Sequence, residues 1–96
     1  RIFEDEFVKM NKSLLVVNCS ILAISQLTLY ADCKHGNRPS FTEAMKFDKA
    51  SQYYDLFCER LRELGFDVKK GIFGADMKIE LLNDGPVTIL LDSDQL

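Results

Sequence analysis

With 96 residues, 47% of them hydrophobic and 28% charged, the chain is large enough for one small domain spanning 1–96 and too small to enclose two cores. Twelve basic against fifteen acidic side chains leave a net charge of −3, which excludes a global positive field able to draw in a long nucleic-acid duplex and leaves only local contact with polynucleotide. The longest apolar region, Leu14 to Leu29, is interrupted by Asn18, Ser20, Ser25, Gln26 and Thr28 and falls short of the ~18–20 apolar residues that span a bilayer, so no membrane partner is expected.

Residues 1 to 12 are charged and mixed, and Phe3 and Phe7 are too few to set a period, so a connection or a short helical turn is expected there. The opening residues have neither a basic n-region nor an apolar h-region, and the absence of an initiator Met predicts that Arg1 is not the natural start. Ser13 to Val17, and then Ile21 to Tyr30, are apolar and rich in β-branched side chains, and both are expected to be strands. Alternation in the second would set Gln26 and Thr28 on one face, opposite Leu27 and Leu29.

Ala31 to Phe41 gathers turn formers with Lys34, His35 and Arg38 and predicts a loop bearing a local basic patch. Phe47-Asp48-Lys49-Ala50 opens a helix with Asp48 as its N-cap; Ala50, Tyr54, Phe57, Leu61 and Leu64 then recur at steps of three and four until Gly65, a C′ residue. Beyond the glycines of Phe66–Asp76, Met77 to Leu82 alternates like a half-exposed strand. Asn83-Asp84-Gly85-Pro86 turns the chain into Val87 to Asp92, so the last two strands are expected to form either an antiparallel pair or a sharp reversal. The expected order is β, β, α, β, β, an α/β fold with one helix covering part of a sheet.

Residues with obvious chemistry are few. His35 stands alone in a polar loop, and Cys19, Cys33 and Cys58 are odd in number, widely spaced and without a CxxC pair. No metal, no cofactor and no disulfide framework are expected, and a reducing, cytoplasmic setting fits best. Cys33 neighbours Lys34 and His35, a setting that can depress a thiol pKa, but no second catalytic group is tied to it.

Two segments are harder to explain by packing. Ser25-Gln26-Leu27-Thr28-Leu29 puts polar groups at the end of an apolar strand, where they either face water or need partners, since an unpaired buried polar group costs ~1–3 kcal/mol. Asn83-Asp84-Gly85-Pro86-Val87-Thr88 is either a plain turn or, through the carbonyls of Gly85 and Pro86, a pair of acceptors for an ammonium group.

In that order the two segments resemble the SQxTL and NxGPxT motifs of the D-aminoacyl-tRNA deacylases, also described as D-tyrosyl-tRNA deacylases. Lys9-Met10-Asn11, Gly36-Asn37-Arg38-Pro39-Ser40-Phe41 and Gly71-Ile72-Phe73-Gly74-Ala75-Asp76-Met77 extend the resemblance from Arg1 to about Asp92. It implies a mixed, curled, barrel-like sheet with a covering helix, lacking the family's N-terminal strands and an arginine near its start. The implied activity is metal-independent hydrolysis of the ester of D-aminoacyl-tRNA, releasing D-amino acid and tRNA, with glycyl-tRNA editing as a further substrate class. The implied partners are the tRNA acceptor end and a second copy of the chain, with active sites at the homodimer interface.

Carried over by position, Ser25, Gln26, Leu27 and Thr28 form the catalytic strand end. Asn83, Gly85, Pro86, Phe73 and Met77 bind substrate: a cis Gly85-Pro86 pair from one subunit receives the α-ammonium in the other, and Phe73 and Met77 lie near the terminal adenosine. The resemblance allows either Thr28 or the substrate's ribose 2′-OH to drive the attack. The second is preferred, because no base for the threonine hydroxyl is evident. The alternative reading of the chain is a non-catalytic nucleic-acid-binding module using Lys34, His35 and Arg38.

Overall fold

The computed structural model describes Arg1–Leu96. The first twelve residues form a hairpin, β1 (Phe3–Glu4) antiparallel to β2 (Met10–Lys12), where a connection or helical turn was expected. Its turn is organised by Asp5, whose Oδ1 accepts from the backbone amides of Phe7 at 2.9 Å and Lys9 at 3.0 Å while Oδ2 accepts from Asn11 Nδ2 at 2.9 Å. These donors, the Lys9 amide first, hold the Asp5 carboxyl below its ordinary pKa.

Ser13 to Val17 is not a strand. Leu14–Val17 closes one helical turn, α1, through the amides of Val16 and Val17, both donating to the Ser13 carbonyl, and Asn18 ends it in the left-handed region at φ 56°. A strand needs a ladder partner and this run has none, so its amides are satisfied locally; Asn is among the few residues that enter that region readily.

The architecture rests on a β–α–β unit. β3 (Ile21–Ala23) lies parallel to β4 (Val68–Lys70), with Ile21 opposite Val68 and Ala23 opposite Lys70, and the connection between them contains α2 (Phe47–Glu63). Parallel strands require a long crossover, and the apolar period of the helix supplies one with a face to bury. Ala23, Cys58 and Val68 are the buried core, flanked by Ile21, Tyr54, Leu61 and Phe66. Three polar links tie the helix and β3 to β4 and its lead-in: Arg62 Nη2 donates to the Val68 carbonyl at 3.1 Å, Lys70 Nζ reaches Asp55 Oδ1 at 2.7 Å, and Ser20 Oγ donates to Asp67 Oδ2 at 3.1 Å.

The helix keeps its expected end and shifts its start. Lys46 occupies the N-cap position, not Asp48; Asp48 sits in the first turn, where the helix dipole favours a carboxylate, and Arg60 and Arg62 sit in the last. At the other end the Gly65 amide donates to Arg62 and the Phe66 amide to Leu61, with Gly65 at φ 96°, which is a Schellman closure with Phe66 and Leu61 both packed on the core.

The expected barrel-like closure is absent: the fold contains two separate two-stranded sheets and the covering helix. Met77–Leu82 and Val87–Asp92 form no ladder, contrary to the antiparallel alternative, although Lys78, Glu80 and the apolar residues between them keep the alternation. Closing a barrel needs a continuous run of paired strands, and these 96 residues pair only four short ones. Leu82 is 91% and Leu90 85% exposed, and the radius of gyration is 16.0 Å, against roughly 12.5 Å for a compact chain of this length. No helix is long and apolar enough to cross a membrane.

Candidate active site

The polar segment begins where β3 stops. β4 ends at Lys70, the Gly71 amide closes on the Ala23 carbonyl at 3.4 Å, and past that point the chain from Ile24 has no ladder to continue. Gln26 is extended at φ −150° and ψ 107°, and Leu27–Tyr30 coil into a 3-10 turn in place of the expected strand, so the predicted alternation of Gln26 and Thr28 against Leu27 and Leu29 does not occur. The two polar side chains nevertheless meet: Gln26 Nε2 donates to Thr28 Oγ1 at 2.9 Å, across the start of the turn.

Ser25, Gln26, Leu27 and Thr28 line one wall of an open groove of about 1290 Å³, and Phe73 and Met77 line it too. The volume exceeds the ~300–1,000 Å³ usual for a small-molecule pocket, so an extended ligand fits as well as a compact one. Two glycines set the second wall. A Cβ on Gly71 would stand 2.5 Å from Met77 Sδ and 3.2 Å from Ile24 Cδ1, so glycine lets Met77 cross beneath the end of β3. Gly74, at φ 78°, would place a Cβ 2.5 Å from the Phe47 ring; its absence seats Phe47 edge-on to Phe73 at 5.0 Å between centroids and 73° between planes. The Tyr54 ring also lies against Phe73, 5.7 Å between centroids and tilted by 40°.

Sequence reasoning gave Tyr54 only a place in the apolar period of α2. Its hydroxyl donates to the Ala23 carbonyl at 2.6 Å, the residue two before Ser25, and thereby ties helix to groove floor. Lys70 was likewise unremarked: its ammonium stands 5.3 Å from the Tyr54 ring centroid, and the hydrogen bond to Asp55, aided by that carboxylate's charge, raises its pKa.

Asn83, Gly85 and Pro86 do not line this groove in their own chain. They build a separate exposed turn in which Asn83 acts twice: Oδ1 accepts from the Val87 amide at 3.0 Å, and Nδ2 donates to Thr88 Oγ1 at 2.9 Å. The Gly85-Pro86 peptide is cis and Gly85 has φ 125°, a region closed to most side chains; a Cβ there would also meet Val87 Cγ2 at 2.9 Å. The turn therefore presents bare backbone, with the Gly85 and Pro86 carbonyls free of the side chains that organise it. Nowhere do three or more His, Cys, Asp or Glu side chains come together.

The arrangement is that of a small α/β scaffold with an apolar, aromatic-walled groove, a polar floor and a detached backbone turn. A family profile described as D-Tyr-tRNA(Tyr) deacylase matches residues 1–92, and the chain belongs to that family. It is similar to D-aminoacyl-tRNA deacylases of Thermotoga petrophila, at 56% identity over all 96 residues and 64% of that protein, and of Bifidobacterium adolescentis, at 55% identity and 60% of that protein. A solved structure titled c-Myc DNA Unwinding Element Binding Protein superposes with a TM-score of 0.86 at 42% identity, covering 97% of this chain and 64% of the other. The chain thus spans a little under two thirds of the length of the proteins it matches.

Proposed function

We propose that the protein hydrolyses the ester bond of D-aminoacyl-tRNA in the cytoplasm, releasing D-amino acid and tRNA. The carrying observation is that the Ser25–Thr28 floor and the Phe73–Met77 wall converge on one groove in a chain that belongs to the D-Tyr-tRNA(Tyr) deacylase family. The names of relatives at 54–56% identity support the same reading.

Hydrolysis adds water across the acyl–oxygen bond: the carbonyl carbon gains the oxygen, the ribose oxygen leaves with a proton, and a transient oxyanion needs donors. Backbone amides around Gln26 supply them, with Ser25 and Thr28 in support, and preorganised donors of this kind often make the largest single catalytic contribution. Thr28 is a supporting donor and not the nucleophile, because its oxygen already accepts from Gln26 and its hydroxyl is hydrogen-bonded to no base. The ribose 2′-OH of the substrate drives the attack. Phe73 and Met77 hold the terminal adenosine, where stacking on an aromatic ring contributes ~1–3 kcal/mol per base.

The exposed Asn83–Thr88 turn acts in a second copy of the chain. Its Gly85 and Pro86 carbonyls receive the substrate α-ammonium and exclude L-amino acids by steric conflict, which leaves the side-chain pocket permissive. Support comes from the turn's geometry, held by the two Asn83 hydrogen bonds with its backbone bare, and from its position outside the groove of its own chain. Incubation of the purified protein with D-Tyr-tRNA and L-Tyr-tRNA tests the assignment: release of D-Tyr alone is expected, and equal or absent release of both refutes it.

A further inference from the structure

The loop 31–42 joins the two rims of the groove, yet its most basic residues have no role in it. Before the loop, Leu27–Tyr30 line the groove; after it, Glu43, Ala44 and Met45 do. The loop neck is stapled by an isolated antiparallel bridge, with the Asp32 amide donating to the Ser40 carbonyl at 2.7 Å and the Ser40 amide to the Asp32 carbonyl at 2.8 Å. Inside the staple, residues 33–39 carry Lys34, His35 and Arg38 and no carboxylate, all of them exposed. Asp32 turns its Oδ1 inward to the Lys34 amide at 2.9 Å, fixing the base of the cationic arc.

None of the chain's three ion pairs involves Lys34, Arg38, Lys46 or Lys49, although acidic residues outnumber basic ones. Glu43 and Asp48 lie outside the staple. In a chain of net charge −3, a stapled arc of unpaired cations at the lip of a groove is a local positive field pointing at whatever continues out of it. With its apex at Gly36, four residues from Asp32 and from Ser40, the arc extends no further than roughly 13–14 Å from the staple. That reach spans the first few nucleotides of a strand leaving the groove, whose phosphates are where the affinity of a cationic patch for nucleic acid arises.

We infer that Lys34 and Arg38 clamp phosphates of the tRNA strand a few nucleotides from its esterified end. This rests on the proposed function, since it takes the groove to hold the terminal nucleotide. The clamp contributes affinity and register without reading sequence, as phosphate contacts do.

The test uses the purified protein, uncharged tRNA as the binding probe, and two esters: D-Tyr-tRNA and the D-tyrosyl ester of adenosine alone. In the K34A/R38A variant, tRNA affinity by fluorescence anisotropy at 50 mM KCl should fall at least about tenfold, and the slope of log K against log salt should flatten by about 1.4–1.8, at ~0.7–0.9 per lost phosphate contact. Turnover of the adenosine ester should stay within about twofold of the unmodified protein, and K34R/R38K should restore tRNA affinity. Unchanged tRNA affinity and slope in K34A/R38A overturns the clamp while leaving the enzyme assignment intact. Loss of adenosine-ester turnover in the same variant also overturns it, by showing that the loop shapes the groove. If the unmodified protein hydrolyses neither ester, the functional reading fails and the clamp falls with it.

Discussion

Gln26 Nε2 and Thr28 Oγ1 lie 2.9 Å apart, and the direction of that hydrogen bond decides what each residue can do. The amide occupies a lone pair of the threonine oxygen and leaves its proton free to be donated, so the pair presents a donor to the groove and not an activated alkoxide. Gln26→Ala should therefore lower kcat about tenfold to a hundredfold by releasing Thr28 from its position, with little change in KM. Steady-state kinetics on D-Tyr-tRNA reads the split; a rise in KM with kcat unchanged would place Gln26 in ground-state binding instead.

The nucleophile question has its own experiment. D-Tyr-tRNA ending in 2′-deoxyadenosine should lose at least about a thousandfold in turnover, while Thr28→Ala with the normal substrate keeps a measurable residual rate. This follows from the missing base: a hydroxyl without one is a weak nucleophile. Complete loss in Thr28→Ala with full activity on the deoxy substrate would reverse the roles.

Gly85→Ala should damage discrimination more than folding. A side chain at φ 125° that also meets Val87 Cγ2 at 2.9 Å forces the turn to move, at a cost of about 1–3 kcal/mol for the backbone conformation alone. Because the turn is exposed and remote from the Ala23–Cys58–Val68 core, far-ultraviolet circular dichroism should be unchanged while the ratio of D-Tyr-tRNA to L-Tyr-tRNA hydrolysis falls. A variant with unaltered selectivity would contradict the role given to this turn.

Asn83 separates the two hydrogen bonds that hold the same turn. Asn83→Asp keeps an acceptor for the Val87 amide and loses the donor to Thr88, whereas Asn83→Ala loses both, at ~0.5–1.5 kcal/mol each. Activity on D-Tyr-tRNA should fall in the order unmodified, Asp, Ala. Equal activity in all three would show that the turn holds its shape without this side chain.

The Lys70–Asp55 pair gives a pH dependence with a defined sign. Its lysine pKa is raised in the folded state above the ordinary value of 10.5, so the pair's stabilisation is fully present below pH 10.5 and is lost as pH rises through the folded value. Thermal melts of the unmodified protein and Asp55→Asn should therefore differ at neutral pH and converge as the pH is taken above 10.5. A difference that persists at high pH would assign the effect of Asp55 to packing.

The family and its two motifs were legible in the sequence, and so was α2, whose Gly65 terminus is where the period placed it. The strands were not. Ile21 to Tyr30 reads as one β segment because side-chain alternation is local, but a ladder also needs a partner, and β4 stops opposite Ala23. The same reason explains Met77–Leu82 and Val87–Asp92, whose sequence alternates and which enter neither sheet. The meeting of Gln26 with Thr28 was expected for the wrong reason: they converge through a 3-10 turn, not through a pleat. Tyr54 escaped notice because a hydroxyl at a core position of a helix gives no hint of which carbonyl it will find.

The parallel ladder between β3 and β4 joins segments on opposite sides of α2, and the groove floor begins directly after it. Such a contact is non-local, and closing it costs the ordering of the whole intervening segment, so the ladder and the docked helix support one another. Amide hydrogen exchange at Ile21 and Gly71, which hold this ladder from its two ends, would then report on the groove floor as well as on the scaffold: a ligand that protects one should protect both, to the same degree.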